Sequence, residues 1–379
     1  MTYMSLATRL RPKTFETVVG QDVNVRILRN AILRGRVAPS YVFSGPAGTG
    51  KTTVARIFAA GLNCAAQVRP CGACDSCLDV ADGRASHVHE IDAASDRGVA
   101  TIEEVQQMAA QLLPSDAWRV FILDEAHQLS GKAWGACLKT IEEPPERNVF
   151  IFVTTDRERI IRTVQSRSSS FFFRALPTST IYAELARVTK APAPYGALSP
   201  AWYEVAEQDA VLQFIARASK GSLRDAFHLL DMVLLAAPVG LAEVERFVGV
   251  DSEGARDLAD ALLSFDFRYF VEKVDGILGR GLAPDEVARA AIEITRDFLV
   301  IEAGWTGETM SGLPVEAIKK NVLAGRGNLA AMDPDGRARA TAAHKERLWR
   351  LHTEMVRGYE AGHVDRITLE TAYARSIHS

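Results

Sequence analysis

The segment Gly45-Pro-Ala-Gly-Thr-Gly-Lys-Thr52 lies between an apolar run (Tyr41, Val42, Phe43) and a helical pattern (Val54, Ile57, Phe58). Strand, glycine-rich loop and helix in that order define a phosphate-binding P-loop. Glycines let the backbone N–H groups curl around an anion, and the following helix points its positive end at the same place. Gly45, Gly48, Thr49, Gly50 and Thr53 would complete this cradle. Lys51 would reach the β- and γ-phosphates, and the Thr52 hydroxyl would hold Mg²⁺. A nucleoside triphosphate is the expected ligand.

With 379 residues the chain exceeds one ordinary core, and two or three domains are expected. No run of some 18 apolar residues is present and the N-terminus lacks a signal-peptide core, so a cytoplasmic chain without membrane contact is expected. Net charge is −3 and says little about partners. Its distribution says more: up to residue 60 the acids are Glu16 and Asp22, against Arg9, Arg11, Lys13, Arg26, Arg29, Arg34, Arg36, Lys51 and Arg56. That bias suits a triphosphate or a nucleic-acid backbone, or is a solvated helix face.

Residues 1–40 read as an extended arm and an amphipathic helix ending near Gly35. Strands at 41–44, 87–91, 119–123 and 149–154 alternate with helices at 51–62, 101–113 (Ile102, Val105, Met108, Leu112) and 131–142. This alternation predicts an α/β domain with a parallel sheet over residues 1–175. Beyond Pro177 the strand signal stops. Helices are expected at 178–190, 204–220 and 222–237, giving a small helical lid (176–241) interrupted by a Pro/Gly-rich stretch at 191–200. An all-α domain is expected over 242–379, for example through Val287, Ala290, Ile294, Phe298 and Leu299.

The run Arg119-Val-Phe-Ile-Leu-Asp-Glu-Ala-His127 is an apolar strand ending in two carboxylates. Ligands of open α/β sheets sit beyond the carboxyl ends of strands, so Asp124 and Glu125 would meet the P-loop there. Asp124 suits Mg²⁺, and Glu125 suits orientation and deprotonation of an attacking water. A third strand delivers Thr155, able to hydrogen-bond the γ-phosphate or the water. Arg167 and Arg224 are cations that could stabilise charge on the transferred phosphoryl group or sit in ordinary ion pairs.

Cys64, Cys71, Cys74 and Cys77 are spaced C-x₆-C-x₂-C-x₂-C, and Cys137 lies apart. In a cytosolic chain such clustering favours metal over disulfides. Four thiolates suit a closed, structural Zn²⁺ site; an iron–sulfur cluster is the rival, although the usual closing Cys-Pro is missing. Cys137 reads as a buried thiol.

Together these pieces resemble the bacterial DNA polymerase III γ/τ subunits, AAA+ ATPases of the sliding-clamp loader. The resemblance rests on Arg11-Pro12, Val18-Val19-Gly20-Gln21, Gly45–Thr52, the four-Cys module (64–77), Glu90-Ile-Asp-Ala-Ala-Ser95 and Asp124–His127. It continues through Leu138-Lys-Thr-Ile-Glu-Glu-Pro-Pro145, Ser166-Arg167 and Gly221–Ala226, covering residues 1–240. Farther on it is limited to helical character and a stretch near Asp365–Glu370.

The resemblance implies an AAA+ domain, a helical lid and a collar domain for oligomerisation. It implies Lys51 and Thr52 on phosphate and Mg²⁺, Asp124 and Glu125 as the Walker B pair, and Thr155 at sensor 1. Arg224 would be the sensor-2 arginine, and Arg167 the finger acting on ATP of an adjacent subunit. Arg11, Val18 and Val19 would lie near adenine, and Arg97 and Thr101 would track the DNA backbone. The implied partners are δ- and δ′-type subunits, copies of the chain, the sliding clamp and primer–template DNA; the implied cofactors are ATP, Mg²⁺ and Zn²⁺. The expected activity is ATP-driven clamp opening and loading, with hydrolysis releasing the clamp. Ser168 replaces the family's usual Cys after the finger. Without the long form's C-terminal extension, a short form or a truncated long form is expected. A branch-migration motor and a scaffold subunit without turnover are the competing classes; the Cys module and Glu-Glu-Pro-Pro oppose the first, and intact Lys51, Asp124, Glu125 and Arg224 oppose the second.

Overall fold

The computed structural model describes residues 4–111, 117–190, 199–248, 252–304, 309, 311, 334–360 and 365–378. They fall into two compact units, Met1–Leu241 and Ala242–Ser379.

The first unit is built on a parallel five-stranded sheet, β1 (Ser40–Ser44), β2 (Val88–Asp92), β3 (Arg119–Asp124), β4 (Asn148–Thr154) and β5 (Ser169–Phe172), in the order β2-β3-β4-β1-β5. Helices cover both faces, which is why the inner strands are apolar without a polar side. Tyr41, Phe43, Val120, Ile122, Val149, Ile151 and Val153 point to one core, shared with Leu28 of α2 (Asp22–Leu33) and Val54, Ile57 and Phe58 of α3 (Lys51–Asn63). The alternate residues Val42, Phe121, Leu123, Phe150 and Phe152 point to a second core. It contains Ile102 and Val105 of α5 (Val99–Ala110) and Trp134 and Cys137 of α6 (Gly131–Glu142). This is an α/β fold, a parallel sheet covered by helices on both faces. Register sets Ser44 beside Thr154 and Asp92 beside Asp124, so the strands' carboxyl ends line up on one edge.

The chain departs from the expected elements at several points. The N-terminal arm is not simply extended: Leu6–Arg9 forms a short helix, α1, and Phe15–Thr17 a 3₁₀ turn. The fifth strand, β5, was not anticipated; Phe171 is buried and Phe172 exposed, but flanking serines hide the alternation. Within the Cys-rich segment, Asp75–Ala81 forms α4. Helix α5 begins at Val99 rather than 101 and its described part ends at Ala110; Leu112 lies outside the described residues.

A short helix, α7 (Arg162–Arg167), leads into β5. Then come α8 (Thr178–Lys190), α9 (Ser199–Tyr203), α10 (Gln208–Ala218) and α11 (Leu223–Ala236). The helix expected from 204 starts at 208, because Glu207 takes a left-handed φ of 52°. Most of the 191–200 stretch lies outside the described residues. Ser222 caps α11, its Oγ accepting the N–H of Asp225 at 3.2 Å.

The second unit holds α12 (Leu241–Val248, starting on the boundary), α13 (Ser252–Ser264), α14 (Phe267–Gly279), α15 (Pro284–Glu302), α16 (Pro334–Glu360) and α17 (Arg366–His378). Its core joins Leu262, Phe270, Val274, Ile294, Phe298, Leu351 and Tyr373. Phe270 and Tyr373 stack with centroids 3.9 Å apart. Among the described residues no helix is long and apolar enough to cross a membrane.

Candidate nucleotide site and cysteine cluster

The P-loop leaves β1 through backbone conformations that demand glycine at two positions. Gly45 (φ 142°) passes so close to Phe173 that a Cβ would lie 2.0 Å from its carbonyl oxygen. Gly48 (φ 69°) abuts the start of α11, where a Cβ would lie 1.8 Å from Ser222 Oγ. Buried Gln21 fixes the loop from outside, its Nε2 donating to Arg174 O at 2.9 Å and reaching Thr49 O at 3.4 Å.

Lys51 is only 7% exposed, and its ammonium donates to the carbonyls of Gly45 and Pro46, each at 2.7 Å. Burial pushes its pKa down, Glu125 and Asp124 pull it back up, and Arg224 lowers it again. Burial also lowers Arg11, helped by the nearby Arg56 and Arg224 and opposed by Glu90 and Asp124. Arg56 itself is held bidentate by Glu90 at 2.6 and 2.8 Å. Cations crowded and desolvated around one space are stabilised by an anion arriving there.

Beside the P-loop, Thr52 Oγ1 donates to Asp124 Oδ2 at 2.7 Å, while Asp124 Oδ1 accepts the N–H of Glu125 at 2.9 Å. These hard oxygens at a helix N-terminus are a donor set suited to Mg²⁺. Glu125 bends out of β3 in a left-handed conformation, φ 47°. Its Oε2 accepts from Thr155 Oγ1 at 3.2 Å and lies 3.3 Å from His127 Nδ1. Thr154 Oγ1 donates to Asp156 O at 2.8 Å and stands 3.1 Å from the same His127 nitrogen. With the Thr154 proton committed, Nδ1 carries the hydrogen of that contact. Thr155 therefore holds the Glu125 carboxylate by a hydrogen bond, and His127 stands against the same oxygen. The sequence reading gave His127 no role, though it stands two residues after Glu125.

Lys51, Thr52, Asp124 and Glu125 open on a cavity of about 320 Å³, while His127, Thr154 and Thr155 stand behind Glu125 and do not line it. Its lining includes Arg11, Val18, Val19, Gly48, Thr49, Gly50, Lys51, Thr52, Thr53, Asp124, Glu125 and Arg224, so the arm, P-loop, β3 end and lid helix converge. Gly45 acts from behind, through the carbonyl that anchors Lys51. The sequence reading missed the arm residues Ala7, Thr8 and Leu10, and the lid wall of Phe227 and His228. The lid pair had a signal, since they follow Arg224 at i+3 and i+4 on one helical face.

Three expected residues lie elsewhere. Arg167, at the end of α7, pairs with Glu142 at 3.0 Å, donates to Thr163 O at 3.2 Å and does not line the cavity. Arg97 precedes α5, its Nε donating to Ala94 O at 2.9 Å, and Thr101 is in the first turn.

The Sγ atoms of Cys64, Cys71, Cys74 and Cys77 all lie within 4.8 Å of one another, and the thiols are free. Tetrahedral zinc with Zn–S bonds of about 2.3 Å places sulfurs roughly 3.8 Å apart, so this donor set fits with small adjustment. Backbone N–H groups of Ala73 and Cys74 pull Cys71 down to about 6, while burial pushes Cys77 up to about 12. The cluster packs on Ala60 at the end of α3 and on Val80 and Ala85, away from the phosphate end. Cys137 is buried in the α5/α6 core, where burial raises it to about 12.

A family model described as DNA polymerase III, delta subunit, matches residues 20–177. The DNA polymerase III subunit gamma/tau of Mycobacterium tuberculosis is 35% identical over 79% of this chain and 51% of its own length. Protein STICHEL of Arabidopsis thaliana is 37% identical over 75% of this chain and 23% of that protein. The tau subunit of Bacillus subtilis is 37% identical over 62% of this chain and 40% of its own length. The chain thus spans about half, or less, of the relatives it matches. Among solved structures, the RuvB branch-migration motor of Thermotoga maritima aligns over 82% of this chain and 91% of that one, with 17% identity and a TM-score of 0.45.

Proposed function

We propose that this chain is an AAA+ ATPase of the γ/τ clamp-loader class, acting in DNA replication. The observation that carries the reading is the single cavity in which Lys51, Thr52, Asp124, Glu125 and Arg224 meet. Similarity to γ/τ proteins over about three quarters of the chain supports the class.

In this reading the P-loop amides, Lys51 and Arg224 bind the triphosphate. Thr52 and Asp124 hold Mg²⁺, which would neutralise phosphate charge during transfer. Glu125 takes the proton of the attacking water. His127 and Thr155 aim its carboxylate, which matters because phosphoryl transfer depends on positioning and electrostatics. Arg11, Val18 and Val19 wall the adenine end. Arg167 acts in trans: its Glu142 partner would be exchanged for the γ-phosphate bound by a neighbouring subunit. Arg97 and Thr101 meet the DNA backbone without reading bases, and the four cysteines hold a structural Zn²⁺. Partners are δ- and δ′-type subunits, further copies of the chain, the sliding clamp and primer–template DNA, in the cytoplasm. ATP binding assembles a complex that opens the clamp, and DNA-triggered hydrolysis lets it close.

Lys51→Ala should abolish ATP turnover and leave subunit assembly intact by size-exclusion chromatography. Undiminished hydrolysis in that variant would sink the proposal.

A further inference from the structure

Helix α11 uses one stripe for two tasks. Arg224, Phe227, His228 and Asp231 follow one another at i, i+3, i+4 and i+7, and so share a face. The first three line the nucleotide cavity. Asp231, one turn farther, is 8% exposed, and its Oδ2 accepts the backbone N–H of Leu6 at 2.7 Å. Leu6 opens α1, whose own N-cap residue, Ser5, makes no side-chain cap. Asp231 therefore supplies from 225 residues away the acceptor that the helix start needs, and its charge faces the positive end of α1. Immediately beyond that bond, Ala7, Thr8, Leu10, Arg11 and Pro12 form the arm's wall of the cavity.

We propose that Asp231 is a positioning residue for nucleotide binding: it latches the N-terminal arm to the lid helix and so builds the base-facing wall. Asp231 does not line the cavity itself; it acts through α1. The phosphate end is made by Gly48–Thr52, Asp124 and Arg224, none of them on the arm that Asp231 holds, so the two ends respond separately to loss of the latch. This inference rests on the nucleotide reading and deepens it.

The test compares Mg²⁺-ATP with Mg²⁺-tripolyphosphate, which has the phosphates but no base, by calorimetric titration of the full chain. Asp231→Ala should weaken ATP binding about tenfold, as expected for losing a buried charge-assisted hydrogen bond, while tripolyphosphate affinity stays within about twofold. Asp231→Asn, which keeps an acceptor oxygen, should bind ATP nearly as wild type does. Should Asp231→Ala fail to fold, Leu6→Pro removes the N–H instead, compared with Leu6→Ala to account for the buried side chain it also loses; proline is accepted at a first helical position, and Ser5 already has the extended backbone (φ −60°, ψ 152°) that precedes it. It should produce the same split. Equal loss of both ligands, unchanged ATP affinity, or an Asn variant as weak as the Ala variant would overturn the latch and leave the nucleotide reading standing. A wild-type chain that binds neither ligand would overturn both.

Discussion

Gly48→Ala tests whether the P-loop and the lid helix are in direct contact. The position has φ 69°, and an L-residue there costs about 1–2 kcal/mol. The added methyl would lie 1.8 Å from Ser222 Oγ, 2.8 Å from Ser222 Cβ and 3.4 Å from Arg224 Cβ. Rotating the Ser222 hydroxyl away removes the first clash but gives up its cap on Asp225 N–H, worth about 1 kcal/mol. The second clash then moves the start of α11, and Arg224 with it. Chemical denaturation should show a loss of about 2–3 kcal/mol for the variant, and calorimetry should show weaker ATP binding. Adding Ser222→Gly removes both Ser222 contacts at a cost of only a few tenths of a kcal/mol at an N-cap. The double variant should therefore regain ATP affinity and keep only the backbone cost. If Gly48→Ala is neutral, or if Ser222→Gly gives no rescue, the contact is not what holds the lid in register.

Arg167→Ala should leave ATP binding to the variant within about twofold of wild type but slow hydrolysis in the assembled complex by a factor of about 10³ or more; an isolated chain that hydrolyses ATP as fast as the assembly would refute action in trans. Elemental analysis should find about one zinc per chain, and Cys77→Ser or a chelator should lower the melting temperature. Iron in place of zinc would refute that assignment.

The phosphate end of the site was legible because its chemistry is local in sequence. Glycines at fixed spacing, Lys51-Thr52 and a carboxylate pair closing an apolar strand each announce a backbone geometry that neighbours alone impose. Strands alternating with helices also announced the parallel sheet. What stayed hidden depends on contacts between distant residues. Nothing near Asp231 says that it caps Leu6, and nothing in Ala7-Thr8 says that they face Phe227 and His228. Strand β5 escaped for a different reason: Ser169 and Ser170 are exposed at an outer strand, so only Phe171 carries the buried signal. Arg167 is a third case under the proposed action in trans, since a residue working on a neighbour's ligand would have no cavity of its own chain to line.

The most direct test is steady-state ATP hydrolysis by the chain mixed with δ- and δ′-type subunits, measured with and without a sliding clamp and primer–template DNA. Clamp and DNA together should stimulate turnover, and Lys51→Ala or Glu125→Gln should abolish the stimulated rate. Turnover indifferent to clamp and DNA, or stimulation that survives loss of Lys51, would contradict the proposed function.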